Sequence, residues 1–183
     1  MDSLLVALRQ ETKDIHLALH KNSTLKRCQE NKLDLGEYVQ MLLAFYQPWK
    51  KLMSSLDDVP IKDLRPVLAK RHQLLYNDLI NLNVDEKTLV PEKSERLSQG
   101  QLLGICYVVI GSSMGATGLS QNIKKTLGDQ PISYLSMSPK EAGWPLLSSF
   151  LKSKEVKDYP KTSTSARNTF KLIQTYLSNL AYI

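Results

Sequence analysis

Apolar side chains recur along this chain at intervals of three and four residues, the spacing that places them on one face of an α-helix. The first such stripe predicts a helix from about Ser3, its N-cap, to His20, and the last predicts one from about Ser163 to Leu180. No stretch alternates apolar and polar residues at the period of two that a β-strand requires. The pattern therefore predicts an all-α fold.

Four more helices are predicted between these two. Their starts are, in chain order, Asp34, Asp63, Ser94 or Ser98, and Ser138. Pro48 should kink or break the first of the four, and the next should extend to Leu82. The longest should end near Leu127, with Gly128 as its C-cap. The last opens with the sequence Ser-Pro-Lys-Glu, which combines a capping serine with a proline and a glutamate at their preferred positions in the first turn.

The predicted long helix contains the sequence VVIGSSMGATGL, residues 108–119, in an apolar run that carries no charge. Glycine in a helix interior costs roughly 1 kcal/mol relative to alanine, so a cluster of glycines needs an explanation. An unbroken helix would place four of them along one face: Gly104, Gly111, Gly115 and Gly118. The neighbouring hydroxyl residues also predict a bend. This face could be a groove for a ligand, or it could allow close packing against another helix.

Length and charge narrow the classes of protein that remain. The chain has 183 residues, and no repeat or Gly/Ser-rich linker divides it, so we expect one domain over residues 1–183. Lys and Arg number 24 against 18 Asp and Glu, which gives a net charge of +6 without a block of like charges. A nucleic-acid partner is therefore not predicted, whereas an acidic protein or an anionic ligand is compatible with this charge.

The compartment is predicted from the cysteines and the apolar segments. Cys28 and Cys106 are far apart and form no metal-spaced pair, which fits a reducing compartment. The N-terminal apolar run is too short and too interrupted for a signal peptide. The uncharged run around the glycines reaches the lower limit for a membrane span, but its Ser and Thr content favours a buried core helix. We therefore predict a cytoplasmic protein without a membrane span.

Three histidines are the main candidates for chemistry. His16 lies beside the apolar stripe of the first helix, and His72 lies among charged residues, where we expect it to be solvated. His16 and His20 form an i, i+4 pair that could bind zinc, but no HExxH motif or further Cys/His cluster accompanies them. Sequence signatures of serine hydrolases, kinases and nicotinamide enzymes are missing. A histidine on one helix and a glycine groove on another leave room for a flat cofactor between them.

At these residues the sequence resembles heme oxygenases, in particular the bacterial type that accompanies bacterial phytochromes. The segment LRQETKDIHLAL is similar to the family's opening L-[KR]-x-x-T-x-x-x-H, in which the histidine is the proximal ligand of the heme iron. The resemblance places Arg9, Thr12 and His16 at three of the four named positions of this motif. It implies that His16 binds iron and that Arg9 reaches a heme propionate.

The glycine-containing segment resembles the distal helix of the same family. CYVVIGSSMGATGL is similar to Y-V-x-x-G-S-x-x-G-G, with Tyr107, Gly111 and Gly115 at matching positions. Ser112 stands where mammalian enzymes have an aspartate, as in the bacterial subgroup, and Ala116 replaces the last glycine, so its methyl group could press toward the oxygen-binding face. Weaker matches include EYVQMLLAFYQPWKKL, WPLLSSFL and SARNTFKLIQTYL, whose Phe170 takes the place of an aromatic residue that touches heme.

The resemblance implies a single-domain multi-helix bundle with heme held between the first helix and a kinked distal helix. It implies cleavage of heme, both cofactor and substrate, to biliverdin, carbon monoxide and ferrous iron, with O2 and external electrons. Gly111, Ser112 and Gly115 would be the catalytic residues. The expected partners are an electron donor, such as a ferredoxin, a flavodoxin or a reductase, and a photoreceptor that uses biliverdin.

Two alternatives remain at this stage. His20 stands where the family commonly has an acid that accepts the second N–H of the proximal imidazole. Together with Ala116, this substitution favours a non-catalytic heme carrier or sensor of the same fold. The other alternative is an enzyme of the related thiaminase-like helical fold, in which Cys106 would be the nucleophile.

Overall fold

The computed structural model describes residues 3–91 and 96–179, and within those ranges it contains helices and no strands, which confirms the predicted all-α class. In chain order the helices are α1 (Leu4–His20), α2 (Ser23–Gln29), α3 (Leu35–Met53), α4 (Arg65–Asn81), α5 (Gln99–Gly111), α6 (Ser113–Leu127), α7 (Ser133–Ser136), α8 (Trp144–Lys152) and α9 (Thr162–Ser178). The predicted start at Ser94 and the predicted end at Leu180 lie outside the described residues.

Helix α9 lies at the centre of the bundle and packs mainly against α5, α3 and α1. The stripe that predicted it is buried: Ala166, Phe170, Ile173 and Leu177. On the facing side of α5, a Cβ atom placed on Gly104 would lie 2.7 Å from Cβ of Ser165 and 2.8 Å from the backbone nitrogen of Ala166. Both distances are too short for real atoms, so Gly104 allows α5 and α9 to approach each other closely.

The predicted long helix is interrupted at Ser112, where α5 ends and α6 begins. The Ser112 hydroxyl donates to the Val109 carbonyl at 2.8 Å, which is the backward hydrogen bond that was expected to bend the helix. The Gly115 N–H then reaches the Ser112 carbonyl at 3.3 Å, a spacing of three residues instead of four. The interruption therefore falls within the glycine-containing segment, residues 108–119, in which the bend was predicted.

The span Gln99–Leu127, taken through this interruption, is long and apolar enough to cross a membrane by length and composition. However, 56% of its most apolar window is buried inside the fold. A helix that is buried on all sides in the core of a bundle has the same apolar composition as a membrane-spanning helix. The finding agrees with the prediction that this segment is a buried core helix.

The structure differs from the predicted elements at three places. Of the kink or break predicted at Pro48, the break does not occur, because α3 continues to Met53, and the Gln47 side chain donates to the Leu43 carbonyl near the point where proline lacks an N–H. Helix α8 begins at Trp144 and not after Ser138, because the chain makes one turn and then adopts a left-handed conformation at Gly143. Helices α2 and α7 were not predicted at all.

Candidate functional site

A mostly apolar cavity of about 570 Å³ opens between α1 and the α5–α6 junction. Parts of α2, α3, α8 and α9 complete its walls. This volume lies within the range of roughly 300–1,000 Å³ that is typical of small-molecule and cofactor sites. Eight of the nine site residues proposed from the sequence line it: Arg9, Thr12, His16, Tyr107, Gly111, Ser112, Gly115 and Phe170.

The first helix contributes His16 to one wall of the cavity. One turn earlier, Thr12 is buried and its hydroxyl donates to the Leu8 carbonyl at 2.6 Å, which fixes this side chain against the helix backbone. His16 follows on the same face, and its ring centroid lies 5.5 Å from that of Phe170 on α9. The spacing of Thr12 and His16 in the sequence thus brings the histidine to the cavity.

His16 is in direct contact with His20, the other histidine of α1. The two Nε2 atoms are 3.2 Å apart, so one donates a hydrogen bond to the other, and the rings meet edge to face at 73°. Partial desolvation at the cavity wall and then the charge of His20 hold the pKa of His16 below its usual value. His16 is therefore neutral at pH 7, which is the form of imidazole that binds metals. His20 also lines the cavity.

Glycines of the α5–α6 junction form another part of the cavity wall. A Cβ atom on Gly111 would make an ordinary contact of 3.8 Å with the ring of Trp144, whereas one on Gly115 would meet nothing within 4 Å. The space beside Gly115 is open, in contrast to the space beside Gly104. Close helix packing thus explains Gly104, whereas Gly115 faces open space and its role as part of a ligand groove stays a prediction.

Ala116 is the one proposed site residue that does not line the cavity. Its side chain is 2% exposed and lies in the core, although its methyl group was expected to press toward the oxygen-binding face. The helix explains this difference, because consecutive residues point about 100° apart and Gly115 already faces the cavity. The replacement of the family's last glycine therefore leaves the cavity wall unchanged.

Arg71 of α4 contacts this wall from the core side and is not among the residues predicted from the sequence. It is fully buried, and its Nη2 donates to the Ser112 hydroxyl at 3.2 Å. Its Cζ lies 4.2 Å from the centroid of the Tyr134 ring, while Nε and Nη1 have no hydrogen-bond partner among the described residues. The signal was present in the sequence, since Arg71 lies between Leu68 and Leu75 on the buried stripe of α4.

Two cations lie at the edge of the cavity on the side of α1. Arg9 and Lys13 are exposed, line the cavity, and share one helix face with His16. Neither has an ion-pair partner within residues 3–91 and 96–179. Lys13 was not proposed from the sequence, although it lies four residues after Arg9. An anionic group of a bound molecule would be stabilised at this edge.

Two other candidates lie away from the cavity. His72 is half-buried instead of solvated, and its Nε2 lies 3.0 Å from the Tyr46 hydroxyl. Cys106 is fully buried inside α5, and burial raises the pKa of its thiol to about 12. A thiol in this state is a poor nucleophile, and it does not line the cavity. The thiaminase-like alternative therefore has no support in the structure.

Comparison with known proteins identifies the architecture. No protein-family model and no curated protein sequence matches the chain. Among solved structures, the chain is similar to a heme oxygenase from Leptospira interrogans, with a TM-score of 0.71 over 96% of this chain and 98% of that one. The two sequences are 16% identical, so the similarity is one of fold. The chain has the all-α fold of heme oxygenases.

Proposed function

We propose that this protein is a heme oxygenase of the bacterial type, which cleaves heme to biliverdin, carbon monoxide and ferrous iron. The observation that carries the proposal is that His16, whose pKa is held below its usual value, lines the same cavity as Gly111 and Gly115. The cavity lies within a heme oxygenase fold. Ser112, in place of an aspartate, favours the bacterial type.

The residues present fit heme in shape and in chemistry. Heme is flat and apolar with two carboxylates at one edge, and the cavity combines apolar walls with Arg9 and Lys13 at its edge. His16 would hold the iron, these cations would hold the propionates, and Phe170 would pack against the ring. When bound, heme supplies the iron centre that activates O2 and the ring that is cleaved.

The chain itself contributes orientation, space and hydrogen bonding. Gly111 and Gly115 exclude bulky side chains from the distal wall, so a small molecule can enter beside them. The Ser112 hydroxyl is a hydrogen-bonding group at the same wall and is held from behind by Arg71. The sequence has no flavin or iron–sulfur motif, so electrons come from a ferredoxin, a flavodoxin or a reductase. The net charge of +6 favours docking of an acidic donor.

The proposal is tested by adding hemin to the heme-free protein and then a reductant with O2. We expect a Soret band on binding, its loss during turnover, and a biliverdin product. His16→Ala should bind hemin weakly and form no biliverdin, whereas His72→Ala, a histidine outside the cavity, should behave as the wild type. Biliverdin formation by His16→Ala at the wild-type rate would refute the assignment.

One observation favours a second function, that of a heme carrier or sensor. A neutral imidazole, His20, stands in place of the acid that would accept the second N–H of the proximal imidazole and strengthen its donation to iron, and it contacts Nε2 of His16 instead. The same experiment separates the two functions. A carrier would retain the Soret band under reductant and O2 and release no biliverdin.

A further inference from the structure

The contact between His16 and His20 has a geometry that suits a metal ion as well as a hydrogen bond. Both side chains leave α1 on the same face, four residues apart, and both line the cavity, where solvent reaches them. Their Nε2 atoms are 3.2 Å apart. Nε2 is the nitrogen that carries a free lone pair in one tautomer of neutral histidine and can therefore bind a cation.

The distance between the two nitrogens matches that of neighbouring ligands on one metal ion. Histidine nitrogens bind zinc at about 2.0–2.1 Å, so two of them are about 3.3–3.4 Å apart at the tetrahedral angle and about 2.8–3.0 Å apart at a right angle. The observed 3.2 Å lies between these values. A metal ion therefore needs no change in the distance between the two nitrogens, only a rotation of the rings that turns each lone pair from the N···N line toward the ion.

We propose that the heme-free protein binds one divalent transition-metal ion, such as Zn²⁺, between Nε2 of His16 and Nε2 of His20. No group of three His, Cys, Asp or Glu side chains in the described part of the chain surrounds a common point. Water therefore completes the coordination, and the site is open to the cavity. Imidazole nitrogen is a ligand that Zn²⁺, Ni²⁺ and Cu²⁺ all favour.

This site competes with heme, a consequence that rests on the proposed function. His16 has one Nε2, and the same atom would have to serve both the divalent ion and the heme iron. A bound divalent ion must therefore leave before His16 can ligate heme, and His20 must give up its contact with His16. The histidine pair can therefore bind a divalent ion only while the cavity holds no heme.

The experiment is a calorimetric titration of untagged, heme-free protein with Zn²⁺ in a buffer that does not bind metals. We expect one ion per chain, and affinity that falls by about tenfold or more in both His16→Ala and His20→Ala. His72→Ala is the matched control and should bind as the wild type. Absence of binding, or wild-type affinity in His20→Ala, would overturn the proposal.

Two further measurements keep this result separate from the proposed function. Spectra of the histidine ring nitrogens by NMR should show Zn²⁺ shifting Nε2 of both residues, whether or not the protein ever binds heme. Saturating Zn²⁺ should slow hemin uptake by the wild type and leave uptake by His20→Ala unchanged. If hemin does not bind at all, the proposed function fails while the metal site stands. A shift confined to one ring would instead overturn the shared site.

Discussion

Gly104 and Gly115 lie on successive helices of one apolar run, yet the space beside them differs. A Cβ atom on Gly104 would clash with Ser165 and Ala166 of α9, and a Cβ atom on Gly115 would meet nothing within 4 Å. The first glycine serves helix packing, and the second leaves a cavity wall without side chains. The residue type alone does not distinguish these roles, because both depend on what lies opposite.

We expect leucine at these two positions to have opposite effects. Gly104→Leu should overpack the α5–α9 interface and lower stability by about 1–3 kcal/mol or more, which corresponds to a fall in Tm of about 2–4 °C per kcal/mol. Gly115→Leu should leave Tm unchanged or slightly raised, since leucine favours helix over glycine by about 1 kcal/mol.

The same variants separate folding from chemistry. Gly115→Leu should retain hemin binding through His16 and lose most biliverdin formation, because its side chain enters the cavity. Thermal unfolding of the heme-free proteins and the hemin assay provide the two measurements. A large fall in Tm for Gly115→Leu, with biliverdin formation intact, would mean that this glycine serves packing.

The hydrogen bond between Arg71 and Ser112 supports the cavity wall from the core side. Burial of the Arg71 guanidinium lowers the stability of the fold, because Nε and Nη1 have no hydrogen-bond partner among the described residues. The third nitrogen, Nη2, donates to the Ser112 hydroxyl. Ser112→Ala should therefore cost about 1–3 kcal/mol in the wild type, because it leaves another buried charged donor unpaired.

A double-mutant cycle tests this coupling. In an Arg71→Met background no charged donor remains, so Ser112→Ala should cost at least about 1 kcal/mol less than in the wild type. The bond from Ser112 to the Val109 carbonyl is lost in both backgrounds and cancels in the cycle. Urea unfolding of the four proteins gives the measurement. Additive effects would show that the Arg71–Ser112 contact contributes nothing to stability.

At the level of elements, the sequence predicts the long helices and misses the short ones. Helices α1 and α9 each repeat their apolar stripe over about five turns, and a Ser98 capping box marks the start of α5. Helix α2 has seven residues and α7 has four, too few for a helical period to show. Their stability comes from tertiary contacts, which a local pattern does not reveal.

The candidate site follows the same division. His16 and Gly115 could be predicted because each belongs to a motif of fixed spacing within a single predicted helix. Arg71 has the spacing of the buried α4 stripe, but the local sequence does not show its partner, because Ser112 lies on a different part of the chain. Ala116 was assigned to the cavity because the motif gives position along the helix, whereas the direction of a side chain depends on how the helix is rotated in the bundle.

The contact between the first and last helices gives a prediction about pH. Arg167 donates to both carboxylate oxygens of Asp14, at 2.6 and 2.9 Å, and to the Glu11 carbonyl. Chiefly through the Arg167 hydrogen bond, the pKa of Asp14 falls from 3.8 to about 2. Because the folded-state pKa is the lower one, this interaction stabilises the fold above pH 3.8, and the stabilisation is lost as the pH falls toward 2.

We therefore expect Asp14→Asn to be less stable than the wild type near neutral pH, with a difference that shrinks between pH 3.8 and about 2. Because Asp14 is exposed, added salt should also reduce the difference. Urea midpoints measured across this pH range test both points. Asp129→Asn, at an exposed aspartate without an ion pair in the described part of the chain, controls for loss of charge. A difference that persists unchanged at pH 2 would show that the ion pair is not its source.

At the scale of the whole molecule, the cavity joins parts of the chain that are far apart in sequence. Its walls include α1 near the start, the α5–α6 junction in the middle, and Phe170 of α9 near the end. The α5–α9 side of the bundle is close-packed, as the contacts beside Gly104 show. A ligand in the cavity would therefore contact the close-packed α5–α9 side of the bundle and the more exposed first turns of α6.

Hydrogen exchange tests this division of the molecule. In the heme-free protein we expect fast exchange at residues 112–119, where Met114 is 59% exposed and the Gly115 N–H makes a long hydrogen bond of 3.3 Å. Hemin should slow exchange there and in residues 9–20, because it would cover both walls, and should leave α4 nearly unchanged.

Mass spectrometry of peptides before and after hemin addition measures these exchange rates, with His16→Ala plus hemin as the control. Protection confined to residues outside the cavity would place heme elsewhere on the molecule, and equal protection in His16→Ala would show that the two walls close without the iron ligand.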